Sequence, residues 1–225
     1  MLVNQRRALF VGLALLLAAG IVFLLVAIPA TFAWVMRVDD GVWRLAVIVE
    51  NQPATWIAEA FSIAGSVWIN WPLRIIAFIA LAVKRRWVQL TAFALAVLTS
   101  EILISVLKSA YARPRPPDSL IVTSDYSFPS GHAIAGAVTA VGLVIVLLPP
   151  GRARWHWEVN AVVISFLMAM SRVYLRAHWL SDVVAGALLG AGLALGFPAL
   201  LQAIRGRREA AVESPVLLPE RDDGT

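Results

Sequence analysis

The sequence predicts an all-α, polytopic membrane protein with six transmembrane helices in one bundle. Three observations predict it. Hydrophobic residues make up 60% of the 225 and charged residues only 15%, with a mean hydropathy of +0.79, too little polar surface to cover a water-soluble globule. Apolar runs reach the roughly 20 residues a helix needs to cross hydrocarbon, and none of Ala8 to Met36 is charged. The basic residues stand in clusters between these runs rather than on one face.

The first span covers Ala8–Ala30 or slightly more. Arg6 and Arg7 before it and Pro29-Ala30-Thr31-Phe32-Ala33 after it imitate a signal peptide. The run exceeds the usual core of about 7–15 residues, so an uncleaved anchor is predicted. Residues 39–62 mix Asp39, Asp40, Arg44 and Glu50 with Trp43 and Trp56, the pattern of an amphipathic segment at the interface. The second span is Ile63–Val83, with one charge, Arg74, and the third is Val88–Leu107. The fourth begins near His132 and ends before Pro149-Pro150, the fifth covers Val159–Leu175 and the sixth Trp179–Ile204. Residues 1–205 thus form one transmembrane domain, and the charged stretch 206–225 is predicted to be a disordered cytoplasmic tail. In the sixth helix, Gly186-x-x-x-Gly190 and Gly192-x-x-x-Gly196 suit close helix packing in lipid.

Charge alone sets a topology. Arg6 and Arg7, then Lys84 to Arg86, then Arg152 and Arg154, then Arg205, Arg207 and Arg208 all fall on one side of a six-span chain. By the positive-inside rule that side is the cytoplasm, with both termini. Residues 108–131 and 172–182 then share the opposite face. The scattered +5 charge argues against nucleic acid as a partner. With no cysteine there is no disulfide and no thiolate chemistry; with three histidines, His132, His156 and His178, a histidine-rich metal site is not expected.

Three polar clusters lie on that far face. In the third, Ser171 to Asp182, His178 and Asp182 are four apart, on one face if helical. A carboxylate on one imidazole nitrogen leaves the other free to attack; an ordinary helix-surface ion pair is the plain alternative. In the second, Pro129, Ser130 and Gly131 open a helix whose free N–H groups suit phosphate oxygens, and His132 stands where it can protonate a leaving oxygen. The first supplies Lys108 and Arg115, which with Arg172 can surround a phosphoryl group. For Arg113 and Arg176, catalysis and contact with lipid headgroups both stand open. Glu101, inside span three, has Lys108, Arg74 and Arg172 as possible partners, or is protonated.

Lys108-x6-Arg115-Pro116, Pro129-Ser130-Gly131-His132 and Ser171-Arg172-x5-His178-x3-Asp182 resemble, without departure, the signature of the type-2 phosphatidic acid phosphatase superfamily. The resemblance runs from Lys108 to Asp182, and the six-span layout extends it over most of the chain. It implies a membrane phosphatase of lipid-linked phosphate monoesters or diphosphates, working without a cofactor. It also implies that His178 is the nucleophile forming a phosphohistidine, Asp182 its orienting carboxylate and His132 the general acid and later base. Lys108, Arg115, Arg172, Ser130 and the Gly131 N–H are then phosphate ligands. Undecaprenyl diphosphate and phosphatidate or phosphatidylglycerophosphate are the leading substrates. A lipid A phosphatase and a lipid phosphotransferase are the alternatives, and a non-catalytic transporter-like bundle is disfavoured because no catalytic residue is missing.

Overall fold

The computed structural model describes residues 5–213, which form eight α-helices and no strand. These are α1 Gln5–Ala27, α2 Pro29–Ile48, α3 Gln52–Ala64, α4 Val67–Val83, α5 Trp87–Tyr111, α6 Gly131–Leu147, α7 Arg152–Tyr174 and α8 Leu180–Glu213. Four helical stretches are long and apolar enough to cross a membrane: Arg6–Ala27, Gln52–Val83, Trp87–Tyr111 and Leu180–Arg207. α6 is apolar but only 17 residues long, and α7 carries Arg152, Arg154, Glu158 and Arg172 among its apolar residues. The protein is inside-out relative to a soluble globule: Leu17, Leu24, Ile76, Leu98, Ile102 and Phe166 are exposed, as expected of side chains facing lipid.

The stretch from residue 39 to 62 differs from its predicted form. It is not one segment but two, the second half of α2 and most of α3. The first helix stops at Ala27 because the next turn opens on Pro29, and Ile28 is extended, as a residue before proline prefers. Proline fits the first turn of the new helix. Asn51 caps α3 by accepting from the Ala54 N–H at 3.0 Å. At its far end α8 continues to Glu213, beyond the domain edge drawn at residue 205; residues 214–225 of the predicted tail lie outside the described residues.

α8 is the hub, packing on α1 and α6. Its two glycine pairs face different neighbours. A Cβ on Gly186 would lie 2.7 Å from the Ser130 carbonyl oxygen, and one on Gly190 2.5 Å from that of Ile134, both in or beside α6. A Cβ on Gly192 would lie 2.8 Å from Leu16 of α1. Small residues let the backbones close up where lipid supplies no hydrophobic drive between helices. The core of Leu81, Phe93, Val97, Ile134 and Val138 fills the bundle beneath the polar end.

One charged pair sits within this interior. Arg74 of α4 is fully buried; it donates to Glu101 at 2.7 Å and to Thr139 Oγ1 at 2.9 Å. Of the partners considered for Glu101, Arg74 is the one it takes.

Candidate active site

Four helix ends meet at one pole: the C-termini of α5 and α7 and the N-termini of α6 and α8. Each places part of the constellation. α5 ends on a left-handed Ala112, whose N–H donates to the Lys108 carbonyl at 3.0 Å. The chain beyond carries Arg113 and Arg115. Ser130 caps α6 through the Ala133 N–H, so Gly131 and His132 begin the helix.

α7 ends in a Schellman turn. Arg176 is left-handed (φ 53°); its N–H donates to the Val173 carbonyl, and that of Ala177 to the Arg172 carbonyl. The His178 N–H joins it there at 3.2 Å. His178 therefore stands in the corner before α8 rather than on a shared helical face with Asp182. The geometry still brings the two together, because Asp182 lies in the first turn of α8 and reaches back over its N-terminus. Its Oδ2 accepts from the Trp179 N–H at 2.9 Å, as an acid three residues past the cap does in a capping box, and lies 3.4 Å from His178 Nδ1.

Asp182 is fully buried and heavily supplied with donors. Ser127 Oγ donates to the same Oδ2, and Arg113 donates to Oδ1 at 2.6 Å. Arg113 is itself buried. It pairs with Asp39 of α2 at 2.7 Å, and its guanidinium lies between the rings of Phe32 and Trp179. Asp39 is 1% exposed and accepts from Ser181 through both the backbone N–H, at 2.9 Å, and Oγ, at 2.6 Å. Of the two readings of Arg113, headgroup contact is thus excluded by burial. Arg176 is also buried and pairs with Glu50 at 3.0 Å, so it too is turned from lipid headgroups.

On the other side of the His178 ring, an Arg115 N–H lies 3.2 Å from Nε2. A donor on Nε2 and a carboxylate on Nδ1 together favour the neutral tautomer with its proton on Nδ1. Burial pushes the His178 pKa down to about 4, against the opposing pull of Asp182. Arg115 also donates through Nε to the Asp125 carbonyl at 2.7 Å, and its other arm pairs with the Asp125 carboxylate. Lys108 pairs with the same carboxylate at 2.9 Å. Burial would raise the Asp125 pKa, but the hydrogen bonds and charges of Lys108 and Arg115 outweigh it and hold the acid below its usual range.

Arg172, 5% exposed, donates to Ser62 Oγ at 2.5 Å, and its Nε has no partner among the described residues. The His132 ring feels the charges of Arg172, Arg115 and Lys108 and faces the α3–α4 corner, where a Cβ on Gly65 would come within 3.3 Å of it. Gly131 lies against Lys108, its virtual Cβ 4.0 Å from Cε. Ser130 is fully buried, with its hydroxyl engaged in capping.

The predicted residues His178, Asp182, Arg115, Lys108, Arg172, His132 and Gly131 thus converge on one pole. Sequence reasoning missed Asp39, Ser62, Ser127 and Asp125. Asp39 gave no distinct signal, because α2 also carries Arg37, Asp40 and Arg44. Among the described residues no group of three His, Cys, Asp or Glu side chains is arranged to hold a metal.

Comparison with known proteins bears on this pole. A model of the PAP2 superfamily matches residues 89–205, more than half of the chain. Phosphatidylglycerophosphatase B of Bacillus subtilis is 29% identical over 75% of this chain and 85% of its own length. Decaprenylphosphoryl-5-phosphoribose phosphatase of Mycobacterium tuberculosis is 31% identical over 74% of this chain and 89% of its own. A Sulfolobus acidocaldarius undecaprenyl-diphosphatase is 42% identical, but the match spans only 30% of either chain. In three dimensions the chain resembles a crystallised transmembrane PAP2-type phosphatidylglycerolphosphate phosphatase from Bacillus subtilis. The TM-score is 0.69 at 26% identity, over 87% of this chain and 96% of that one. Aquifex aeolicus LpxE shares the fold, with a TM-score of 0.55 at 24% identity over 70% of this chain and 92% of that one.

Proposed function

The chain belongs to the PAP2 superfamily, and from that premise we propose that it is a membrane phosphatase that hydrolyses a lipid-linked phosphate through a phosphohistidine on His178. The observation that carries the mechanism is the His178 ring itself. Asp182 sits at Nδ1, Arg115 at Nε2, and the charge of Arg172 also reaches the ring.

The phosphoryl group binds among these cations, and Arg115 leaves Nε2 for a phosphoryl oxygen. The unpartnered Nε–H of Arg172 offers a further donor. Nε2 attacks phosphorus in line as the P–O bond to the leaving group breaks, and His132 gives its proton to that oxygen. Asp182, fixed by Arg113, Ser127 and the Trp179 N–H, holds the proton on Nδ1 and balances the charge that the ring acquires. Water then attacks the phosphohistidine, with His132 taking its proton. The N–P bond breaks and orthophosphate leaves. The cations stabilise the equatorial oxygens in both displacements. Gly131 contributes its backbone N–H, and Ser130 shapes the helix start.

Six spans are proposed: α1, the α3–α4 stretch, α5, α6, α7 and α8, with both termini cytoplasmic and the active pole outside. The basic clusters support this reading because they gather at the end away from His178. Arg7 and Arg154 border one cavity, and Trp87 and Arg205 another. Arg86 donates to the Leu147 carbonyl, tying two of these turns together at 3.1 Å. Residues 1–205 would be the transmembrane phosphatase domain.

The substrate class follows from the relatives that align over most of this chain, which are named as phosphatases of phosphatidylglycerophosphate and of a polyprenyl-linked phosphate. The test is phosphate release by detergent-purified protein, with EDTA present, from phosphatidic acid, phosphatidylglycerophosphate and undecaprenyl diphosphate. His178→Ala serves as blank. Release that requires His178 and survives EDTA supports the mechanism. Near-normal release by His178→Ala overturns it.

A further inference from the structure

Asp125 lies outside the machinery just described, yet it touches two of its three cations. Its Oδ2 is 2.9 Å from Lys108 Nζ, and its Oδ1 pairs with an Arg115 terminal nitrogen. The cations are only 12% and 13% exposed in their side chains, whereas the Asp125 side chain is 57% exposed. An acid on the α5–α6 loop therefore reaches inward to place two anionic oxygens on two sunken cations. That is the contact two phosphoryl oxygens would make.

The other acids of this pole behave differently. Asp182 and Asp39 are 0% and 1% exposed, and both accept backbone N–H groups. Their carboxylates are built into the scaffold. The Asp125 carboxylate has only the two cations among its described contacts.

We propose that Asp125 is an internal competitor for the phosphate seat: its carboxylate rests on Lys108 and Arg115 when the site is free and sets how readily orthophosphate leaves. The inference rests on the phosphatase reading above. An incoming phosphate either displaces the Asp125 carboxylate or meets its negative charge a few ångströms away, and both weaken its hold. Substrate and product suffer alike at the seat itself. The substrate, however, is also held by its lipid chain, whereas orthophosphate has nothing but the seat. A competing carboxylate thus speeds product departure at little cost to capture.

The alternative is that Asp125 merely holds Lys108 and Arg115 in position, and the two roles differ in sign. The experiment uses full-length protein in detergent, with phosphatidic acid as substrate and orthophosphate and orthovanadate as competitive inhibitors. Wild type is compared with Asp125→Asn, which keeps the shape and removes the charge, and with Asp125→Ala. Competition predicts that both inhibitors bind about three- to tenfold more tightly to both variants, the scale of two partly exposed ion pairs. Unchanged or weaker inhibition in variants that remain folded by size-exclusion chromatography overturns the role of Asp125 and leaves the phosphatase reading standing. If wild type neither releases phosphate from lipid phosphates nor is inhibited by orthophosphate, both fall together.

Discussion

Asp39 tests whether the pole is held from behind. The Arg113 guanidinium sits between two buried carboxylates, Asp39 at 2.7 Å and Asp182 at 2.6 Å. Asp39→Asn removes one counter-charge and leaves the other. Losing one partner of a buried ion pair costs about 3–5 kcal/mol, and the surviving Asp182 contact puts this variant near the lower figure. For a chain of this size that lowers the unfolding midpoint by roughly 6–12 °C. Arg113→Met is worse, since it strands both acids at once. In that background Asp39→Asn reverses sign, because it relieves one of the two stranded charges: it should be neutral or stabilising where it was costly in wild type. The assay is thermal unfolding in detergent of the four members of this cycle, followed by the fluorescence of the nine tryptophans, with turnover measured alongside. The charge-assisted bond from Arg113 to Asp182 is worth about 1.5–3 kcal/mol, so Arg113→Met should lower kcat by roughly 10- to 150-fold with KM little changed. Additive destabilisation around the cycle would refute the coupling of Asp39 to Arg113, and a loss confined to KM would refute the claim that this arginine acts through Asp182.

Other outcomes follow from the same geometry. His178, pushed down to about 4 by burial, is neutral across neutral pH, so turnover should fall on the acid side only as pH drops towards 4. The sign for stability agrees. An unfolded histidine titrates near 6.5, so the unfolded chain takes up the extra proton first; stability is full above about 6.5 and declines from there towards 4. Urea unfolding of wild type and His178→Ala between pH 4 and 8 checks this, and a wild-type profile no steeper than the variant's would contradict it. Asp182→Asn should cut kcat by about 10² to 10⁴, because the ring loses the partner that fixes its tautomer; single-turnover phosphate release measures it. Gly190→Ala would put a methyl 2.5 Å from the Ile134 carbonyl oxygen and should cost about 1–3 kcal/mol through overpacking. Gly20→Ala, with nothing within 4 Å, should cost nothing; thermal unfolding separates the two.

How much of this was legible in the sequence depends on the range of the contact. Helices α1, α5, α6, α7 and α8 could be read from apolar run length, and the Ser130 cap marked the start of α6; but the first span was carried past the break at Ile28 and Pro29 that ends α1, and the fifth was begun at Val159 where α7 begins at Arg152. The residues of the candidate site were legible because their spacing is local within each cluster, and the structure brings the clusters to one pole. The supports were not legible, because each spans a long stretch of chain. Asp39 meets Arg113 across 74 residues, Ser62 meets Arg172 across 110, and Ser127 meets Asp182 across 55. No periodicity records such pairings; packing creates them. The division of 39–62 between two helices and the burial of Asp39 escaped the sequence for the same reason. Acids among tryptophans look like a surface facing headgroups until a buried arginine is found to claim one of them.

A physical division of labour connects these cases. A phosphoryl-transfer site must keep cations unsatisfied enough to welcome an anion, yet a low-dielectric bundle penalises every unpaired charge. The cations of this bundle differ in what neutralises them. Arg74, Arg113 and Arg176 are buried and neutralised by Glu101, Asp39 with Asp182, and Glu50. Lys108 and Arg115 face the mouth, with only the exposed Asp125 as counter-ion. Arg172 is buried as well, but among the described residues its guanidinium is held by a neutral serine hydroxyl rather than by an acid. The cations proposed to hold the phosphoryl group have the exposed loop acid Asp125 as counter-ion or, for Arg172, no acid partner among the described residues, and that difference, more than the number of basic residues, sets them apart from Arg113 and its two buried acids.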